Sequence, residues 1–218
     1  LVGKCKISEL RDIKLEMKTS PGVPFKLVGC KNKRQAVQRF GRSYWQFWER
    51  AAREGWPILW KQAGKEELLS MMKIMADRIR TFMIPDVFFL LMCEQLYNDM
   101  NEQMKRLMGV LPFKVGFSKQ HGGMDWLAKS LLRRMPGFIE DGDVSKWDAS
   151  MRSFLFDLIR EKRKEFLGER YRTPGMCERI DYHYVNKVHS FVVLPTGQVL
   201  QKHGGNPSGD ANTTTDNC

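Results

Sequence analysis

A mixed α+β fold is the architecture this sequence predicts, and three observations point to it. Helical periods occupy much of the first half of the chain. The closing third reads in order as a short strand, a helix, a two-stranded hairpin and the start of another helix, without an internal repeat. At 218 residues and 42% apolar content, there is enough material to bury a sizeable core.

The elements follow in chain order. Thr19-Ser-Pro-Gly-Val-Pro-Phe25 is a turn-rich loop in which Pro and Gly fix an extended backbone. From Asn32 to Arg53 a helical period runs through Val37, Phe40, Tyr44, Trp48 and Ala52, with Gly55 as its stop. Asp86 is placed to cap a second helix carrying Leu90, Cys93, Tyr97, Met100, Met104 and Leu107, closed by Gly109. The methionines between residues 92 and 124 read as core filler, since a flexible thioether fits irregular gaps.

Gly137 to Val144 reads as a short strand. A third helix follows, capped by Asp148 or Ser150, with Met151, Phe154, Leu155, Leu158 and Ile159 on its apolar face. Arg160-Glu-Lys-Arg-Lys164 is expected on its outer face, and Gly168 at its end. Lys187–Leu194 and Gln198–His203 read as two strands around a Pro195-Thr-Gly turn, and a last helix begins near Thr213.

Charge is strong and uneven. The chain carries a formal +11. Residues 1–60 hold thirteen Lys and Arg against five Asp and Glu, so an excess of 8 lies in that stretch. A basic amino-terminal region beside acidic residues suits a polyanion held near a metal, although a solvated surface would show the same excess. Cys5, Cys30, Cys93, Cys177 and Cys218 have no paired spacing, which indicates neither a disulfide framework nor a zinc module and fits a reducing compartment. The longest apolar run, Phe82 to Cys93, is broken by Pro85 and Asp86 and is too short to span a bilayer. No signal peptide precedes it, the chain does not start with Met, and it ends inside a patterned segment. It reads as a piece of a longer polypeptide.

Three groups of residues carry chemistry. Asp143 and Asp148 lie five positions apart, and on a continuous strand they would face opposite sides; a turn at Ser145-Lys146 would let both carboxylates converge. Asp143 could then ligate Mg²⁺, a hard cation that takes carboxylate and phosphate oxygens. Asp148 serves equally well as a helix N-cap. Gly204-Gly-Asn-Pro-Ser-Gly209 would ordinarily be a connection, but Thr213 and Asn217 follow at i and i+4 on one helix face. Their hydroxyl and amide could read a ribose 2′-hydroxyl. Finally, if Ile79 is buried on a strand, Arg78 and Arg80 share the opposite face and can clamp a triphosphate, with Lys65 upstream. Surface arginines on an edge strand would look the same. His121, His183, His189 and His203 lack ligand spacing.

Taken together, these residues resemble the RNA-dependent RNA polymerases of positive-strand RNA viruses. Asp143-Val-Ser-Lys-Trp-Asp-Ala-Ser150 looks like that family's motif A. Gly205-Asn-Pro-Ser-Gly-x3-Thr213-x3-Asn217 looks like its motif B. Lys65-Glu-Glu with Arg78-x-Arg80 is similar to motif F, and Thr19-Ser-Pro-Gly-Val-Pro24 to motif G. The four occur in the family's order and span almost the whole chain. Their wording leans toward astrovirus-like members of the picornavirus-like supergroup.

The resemblance implies a right-hand polymerase, α+β in class, here as fingers and the first part of the palm, with the thumb and motif C absent. Residues 1–135 would be fingers with basic elements for template and nucleotide access. Residues 136–218 would begin the palm, with an inserted fingers segment. Asp143 would be catalytic and bind Mg²⁺ or Mn²⁺; Asp148 and Asn217 would select the ribose. Ser208, Gly209 and Thr213 would belong to the loop that positions nucleotide and template. Lys65, Arg78 and Arg80 would contact the incoming triphosphate, and Ser20 and Gly22 the template. Template and product RNA, nucleoside triphosphates and other viral replicase proteins are the partners implied. The setting implied is host cytoplasm, in membrane-associated replication complexes. Without motif C the chain by itself would not polymerise RNA. Two rivals compete: a non-enzymatic RNA-binding module stacking bases on Trp45, Trp48, Trp56 and Trp60, for which core packing is the alternative reading of the tryptophans, and a reverse-transcriptase-like polymerase.

Overall fold

The computed structural model describes residues 3–76, 79–133, 137–138 and 140–217, and of Trp45 the backbone alone. A four-stranded sheet organises it, in the order β2-β1-β3-β4. Strand β1 (Leu59–Gly64) pairs antiparallel with β2 (Thr81–Ile84), Lys61 opposite Ile84 and Gly64 opposite Thr81. On its other side β1 runs parallel to β3 (Phe191–Val193), with Trp60 opposite Val192. The hairpin partner of β3 is β4 (Val199–Gln201).

Helices cover this sheet. The amino-terminal set is α1 (Val23–Leu27), α2 (Lys33–Phe40) and α3 (Tyr44–Glu54). The single helical period expected over 32–53 is therefore two helices, separated by a 3-10 turn at Gly41–Ser43. Asn32 caps the first by accepting from Gln35 N at 3.0 Å, and Gly55 closes the second with φ +67°. A short α4 (Met71–Met75) sits in the connection from β1 to β2.

Helix α5 (Val87–Arg106) is the central beam. Asp86 caps it as expected, accepting from Phe88 N and Phe89 N at 2.9 and 3.0 Å. Phe89, Met92, Cys93, Leu96, Tyr97 and Met100 are buried along it. Met124 is the exception to the core-filler reading: it is exposed, on α6 (Gly123–Leu132).

The carboxy-terminal half departs more from expectation. Residues 140–144 are exposed and form no strand, since Glu140, Asp141 and Gly142 supply no apolar face and no neighbouring strand pairs with them. A turn at Ser145-Lys146, with Lys146 at φ +55°, leads into a four-residue α7 (Trp147–Ser150). Extended backbone at Met151 (ψ 117°) then separates α7 from α8 (Ser153–Phe166). Neither Asp148 nor Ser150 caps the long helix; Arg152 occupies that position without a side-chain bond. The buried face of α8 is Phe156 and Arg163, two helical turns apart, while Phe154 and Leu158 are exposed.

The segment beginning at Lys187 starts as helix, not strand. Helix α9 (Pro174–Val188) begins with Thr173 capping Met176 N and Pro174 in the first turn, the arrangement in which proline's missing N–H costs nothing. It docks on β1 through Asn186, whose Oδ1 accepts from Ile58 N at 2.8 Å and whose carbonyl accepts from Trp60 Nε1 at 3.0 Å. The last helix, α10 (Thr213–Asp216), starts where the sequence placed it.

Trp48 and Trp60 are fully buried in the common core with Phe89, Tyr97 and Phe156. Neither offers a face to a base, so two of the four tryptophans that the RNA-binding-module reading invokes serve as core instead, while Trp56 is half-buried. Among the described residues the cysteines are free and no helix is long and apolar enough to cross a membrane.

Candidate active site

A cleft of about 310 Å³ lies between β2, α7 and the loop that follows β4. Thr81, Phe82 and Met83 form one wall; Asp148 and Ala149 another; Lys202 to Ser208 the third. Segments distant in sequence meet here because backbone bonds join them. Asn206 N donates to Asp148 O at 2.7 Å, and Gly205 N donates to Met151 O at 2.9 Å. The break in helix between α7 and α8 thus frees the carbonyls that receive the loop.

Two glycines permit this approach. Gly205 has φ +72° and lies over the Asp148 carbonyl, which a Cβ would meet at 3.3 Å. Gly209 has ordinary φ but touches β2: a Cβ there would come within 1.9 Å of Met83 O. Its role is close approach and not a positive φ.

The side chains converge as well. Asn217 Nδ2 donates to Asp148 Oδ1 at 2.9 Å, and Asn206 Nδ2 donates to Asn217 Oδ1 at 2.7 Å. Asp148 is exposed, so one oxygen of its carboxylate is oriented from within the protein while the group faces the cleft. Ser208 is exposed on the rim. Thr213 turns inward instead, its hydroxyl donating to Pro207 O at 2.6 Å and so closing the loop on itself.

Lys202 is a residue the sequence reading passed over. Its ammonium donates to the carbonyls of Lys187, Gly204 and Gly205 at 2.9, 2.8 and 3.0 Å, tying the glycine turn to the end of α9. Burial, helped by the nearby Lys187 charge, lowers its pKa to about 8. A lysine two residues before a Gly-Gly pair was the available signal.

Other expected site residues lie around this cleft or away from it. Lys65 and Arg80 are neighbours, because Lys65 N donates to Arg80 O at 2.8 Å and prolongs the β1–β2 ladder. Both are exposed, and Arg80 pairs with Glu67 at 3.4 Å. Arg78 lies outside the described residues. Ile79 is 46% exposed and precedes the strand, so the expected buried strand position at Ile79 is not met. Asp143 is exposed on the segment before the turn and does not line the cleft. Ser20 and Gly22 sit at the start of α5: Pro21 O accepts from Val87 N, and Gly22, at φ +93°, leaves 2.5 Å between a Cβ and Asp86 Cα. The Ser20 hydroxyl is buried without a partner among the described residues.

Beneath the loop is a buried charged network that sequence reasoning missed. Arg163 Nη2 donates to Asp216 Oδ1 at 2.7 Å and to Thr215 Oγ1 at 2.9 Å, and its Nη1 donates to Asn101 Oδ1 at 2.8 Å. Lys187 Nζ donates to Asp216 Oδ2 at 2.6 Å and to Asp210 Oδ2 at 2.9 Å. His183 Nε2 meets Asp210 Oδ1 at 2.8 Å, with its Nδ1 on Tyr97 OH at 3.0 Å. Two cations face two carboxylates, and every charge is bonded on more than one side. Burial pushes both carboxyls up, but Lys187 and His183 outweigh it at Asp210 and hold it well below the usual carboxylate range, while Lys187 and Arg163 lower Asp216. Arg163 had been expected on an outer face; the charge of the Arg160–Lys164 run hid the two-turn spacing from Phe156.

Cys93 joins His183 and Asp210 in presenting ligand atoms within 4.8 Å of one another. Burial raises the Cys93 thiol well above its ordinary value and Asp210 is already bound to Lys187, so the trio is a packed network and not a donor set awaiting a metal.

Residues 8–218 match the family model described as viral RNA-dependent RNA polymerase. The chain belongs to that family. Among relatives, the family member is 31% identical over 159 residues to non-structural polyprotein 1AB of Turkey astrovirus 2, covering 73% of this chain and 10% of the polyprotein. It is 29% identical over 216 residues to the same polyprotein of Ovine astrovirus 1, covering 96% and 16%. Genome polyprotein 1 of Barley mild mosaic virus (strain Na1) is 31% identical over 160 residues, covering 73% and 7%. In fold this polymerase-family chain is similar to the Sicinivirus 3Dpol RNA-dependent RNA polymerase, with a TM-score of 0.75 at 18% identity over 94% of this chain and 45% of that one. The chain therefore spans a minor part of the length of each.

Proposed function

We propose that these residues form the fingers (1–135) and the start of the palm (136–218) of an RNA-directed RNA polymerase. In that enzyme they guide template-directed transfer of a nucleoside monophosphate to an RNA 3′-end. The observation that carries the reading is the Asn217–Asp148 bond at 2.9 Å on the wall of the cleft. A carboxylate fixed by an amide, open to a cleft and walled by a polar loop, is suited to accept a hydrogen bond from a ribose 2′-hydroxyl.

The other assignments follow from this. Asp143 is an exposed hard-oxygen donor after a backbone segment free of sheet pairing, which fits a divalent cation, Mg²⁺ or Mn²⁺. Asp143, with further carboxylates, would hold two such cations, which would supply Lewis-acid activation of the 3′-hydroxyl and neutralisation of charge on the leaving pyrophosphate. More carboxylates than Asp143 are needed to hold both, so polymerisation requires the rest of the protein. Lys65 and Arg80, side by side at the mouth of the β1–β2 hairpin, draw in the triphosphate together with Arg78. Ser208 and Gly209 shape the nucleotide's surroundings, and Ser20 and Gly22 contact the template. Template and product RNA, nucleoside triphosphates and other replicase proteins are the partners, in host cytoplasm at membrane-associated replication complexes.

In the full-length enzyme, Asp143→Ala is expected to abolish RNA synthesis with nucleotide binding retained. Asp148→Ala is expected to reduce the preference for NTP over dNTP while synthesis continues. Full activity of Asp143→Ala, or unchanged sugar preference in Asp148→Ala, would overturn the corresponding role.

A further inference from the structure

Asp210 and Asp216 stand at the two ends of one short segment, and a single buried ammonium holds both. Lys187 Nζ is 2.9 Å from Asp210 Oδ2 and 2.6 Å from Asp216 Oδ2. All three side chains are at most 1% exposed. The residue after Asp216 is Asn217, whose amide fixes Asp148. The residue before Asp210 is Gly209, which rests on β2.

We propose that Lys187 is a positioning residue for ribose recognition. By drawing Asp210 and Asp216 to one point, it sets the height of α10 and thereby the distance from Asn217 to Asp148. This rests on the assignment of Asp148 and Asn217 to the ribose. Lys187 itself touches no substrate, being walled off beneath the loop by the carboxylates it binds.

The geometry explains why a cation of this length is needed. Helix α10 is four residues long and cannot hold its own position. Its carbonyl and side-chain bonds to the loop, Asp216 N to Asn212 O at 2.8 Å among them, are internal to residues 206–217 and would move with it. Among the bonds that tie it to the rest of the fold are those of Lys187 on α9, with Tyr184 OH donating to Asp216 Oδ2 at 3.0 Å, and of Arg163 on α8. Arg163 grips one end of the segment; Lys187 alone grips both. A charged group bonded at two points is stiff, and an error of a fraction of an ångström at Asp216 is passed on to Asn217.

The test uses the purified full-length polymerase on an RNA template-primer, with kcat/KM measured for an NTP and its 2′-deoxy analogue. Lys187→Met and Asp216→Asn are expected to lower the NTP:dNTP ratio by about tenfold, the scale of one charge-assisted hydrogen bond. The loss should fall on NTP, with dNTP incorporation and template binding retained. Asn217→Ala is measured beside them. If Asn217→Ala lowers the ratio while Lys187→Met and Asp216→Asn reduce NTP and dNTP use equally, Lys187 is purely structural and the proposal is overturned while the ribose assignment stands. If Asn217→Ala leaves the ratio unchanged, the ribose assignment itself fails and the proposal with it. Should Lys187→Met not fold, Asp216→Asn decides alone: its amide oxygen stays available to Arg163 while its NH2 replaces the oxygen that accepts from Lys187 and Tyr184, so the Lys187 grip on α10 is lost and the Arg163 contact is retained.

Discussion

Asn217 and Asp148 are 69 residues apart in sequence and joined by a 2.9 Å hydrogen bond, Nδ2 to Oδ1. The bond closes a ring of contacts: Asp148 also gives its carbonyl to Asn206 N, and Asn206 in turn gives its amide to Asn217. Two elements that carry no direct chemical relationship in the sequence thus share one edge of a cleft. The energetic support comes from below, where ion pairs fix the loop to α8 and α9.

Gly209 is expected to tolerate no side chain. Gly209→Ala places a methyl against Met83 O, and either the loop or β2 must retreat. The expected cost is about 1–3 kcal/mol of stability, the range for overpacking. Thermal unfolding reads that loss. In the full-length enzyme, incorporation of NTP and dNTP should fall together, since the cleft wall itself moves.

Arg163→Leu is expected to be among the most damaging single changes in the chain. It leaves the Asp216 carboxylate buried with Lys187 as its remaining cation and takes the Arg163 donor from Asn101 Oδ1 and Thr215 Oγ1. Removing one partner of a buried pair costs about 3–5 kcal/mol. Because the pair is buried, denaturation midpoints at low and high salt should show the same loss.

These two changes mark what was legible in sequence. The Asp86 cap, the long α5, the α10 start and the candidate loop were read from local signals that depend on neighbouring residues alone. The network was not, because Lys187, Arg163, Asp210 and Asp216 look like ordinary surface charges until three distant segments fold together. Lys187 was assigned to a strand because β-prone residues follow it, while the Thr173-Pro174 start signal of α9 went unused. At 140–144 the strand expectation failed because Glu140, Asp141 and Gly142 supply no apolar face and no strand pairs with them. Gly209 was recognised as important, but its reason, the Met83 carbonyl, exists in three dimensions alone.

Asp86 makes stability depend on pH in a direction opposite to the ion pairs. Burial raises its pKa to about 6, against the two backbone bonds that favour the charge. A carboxyl raised in the folded state contributes stability that is complete below the unfolded value of about 4 and is lost as pH rises through about 6. Asp86→Asn keeps an oxygen for Phe88 N and Phe89 N but does not titrate. The stability of wild type relative to Asp86→Asn is therefore expected to decline between pH 4 and pH 7, by at most about 3 kcal/mol. Paired denaturation curves across that range check it; a flat difference would mean Asp86 stays ionised throughout.

The central claim is that Asp148 and Asn217 act as one unit on the ribose, and a double-mutant cycle in the full-length polymerase tests it most directly. The NTP:dNTP ratio of kcat/KM is measured for wild type, Asp148→Ala, Asn217→Ala and the double variant. If the two residues form one device, each single change removes most of the discrimination and the double adds little, leaving a coupling on the order of 1 kcal/mol or more. Strictly additive losses, or a ratio that none of the three variants alters, would contradict the account.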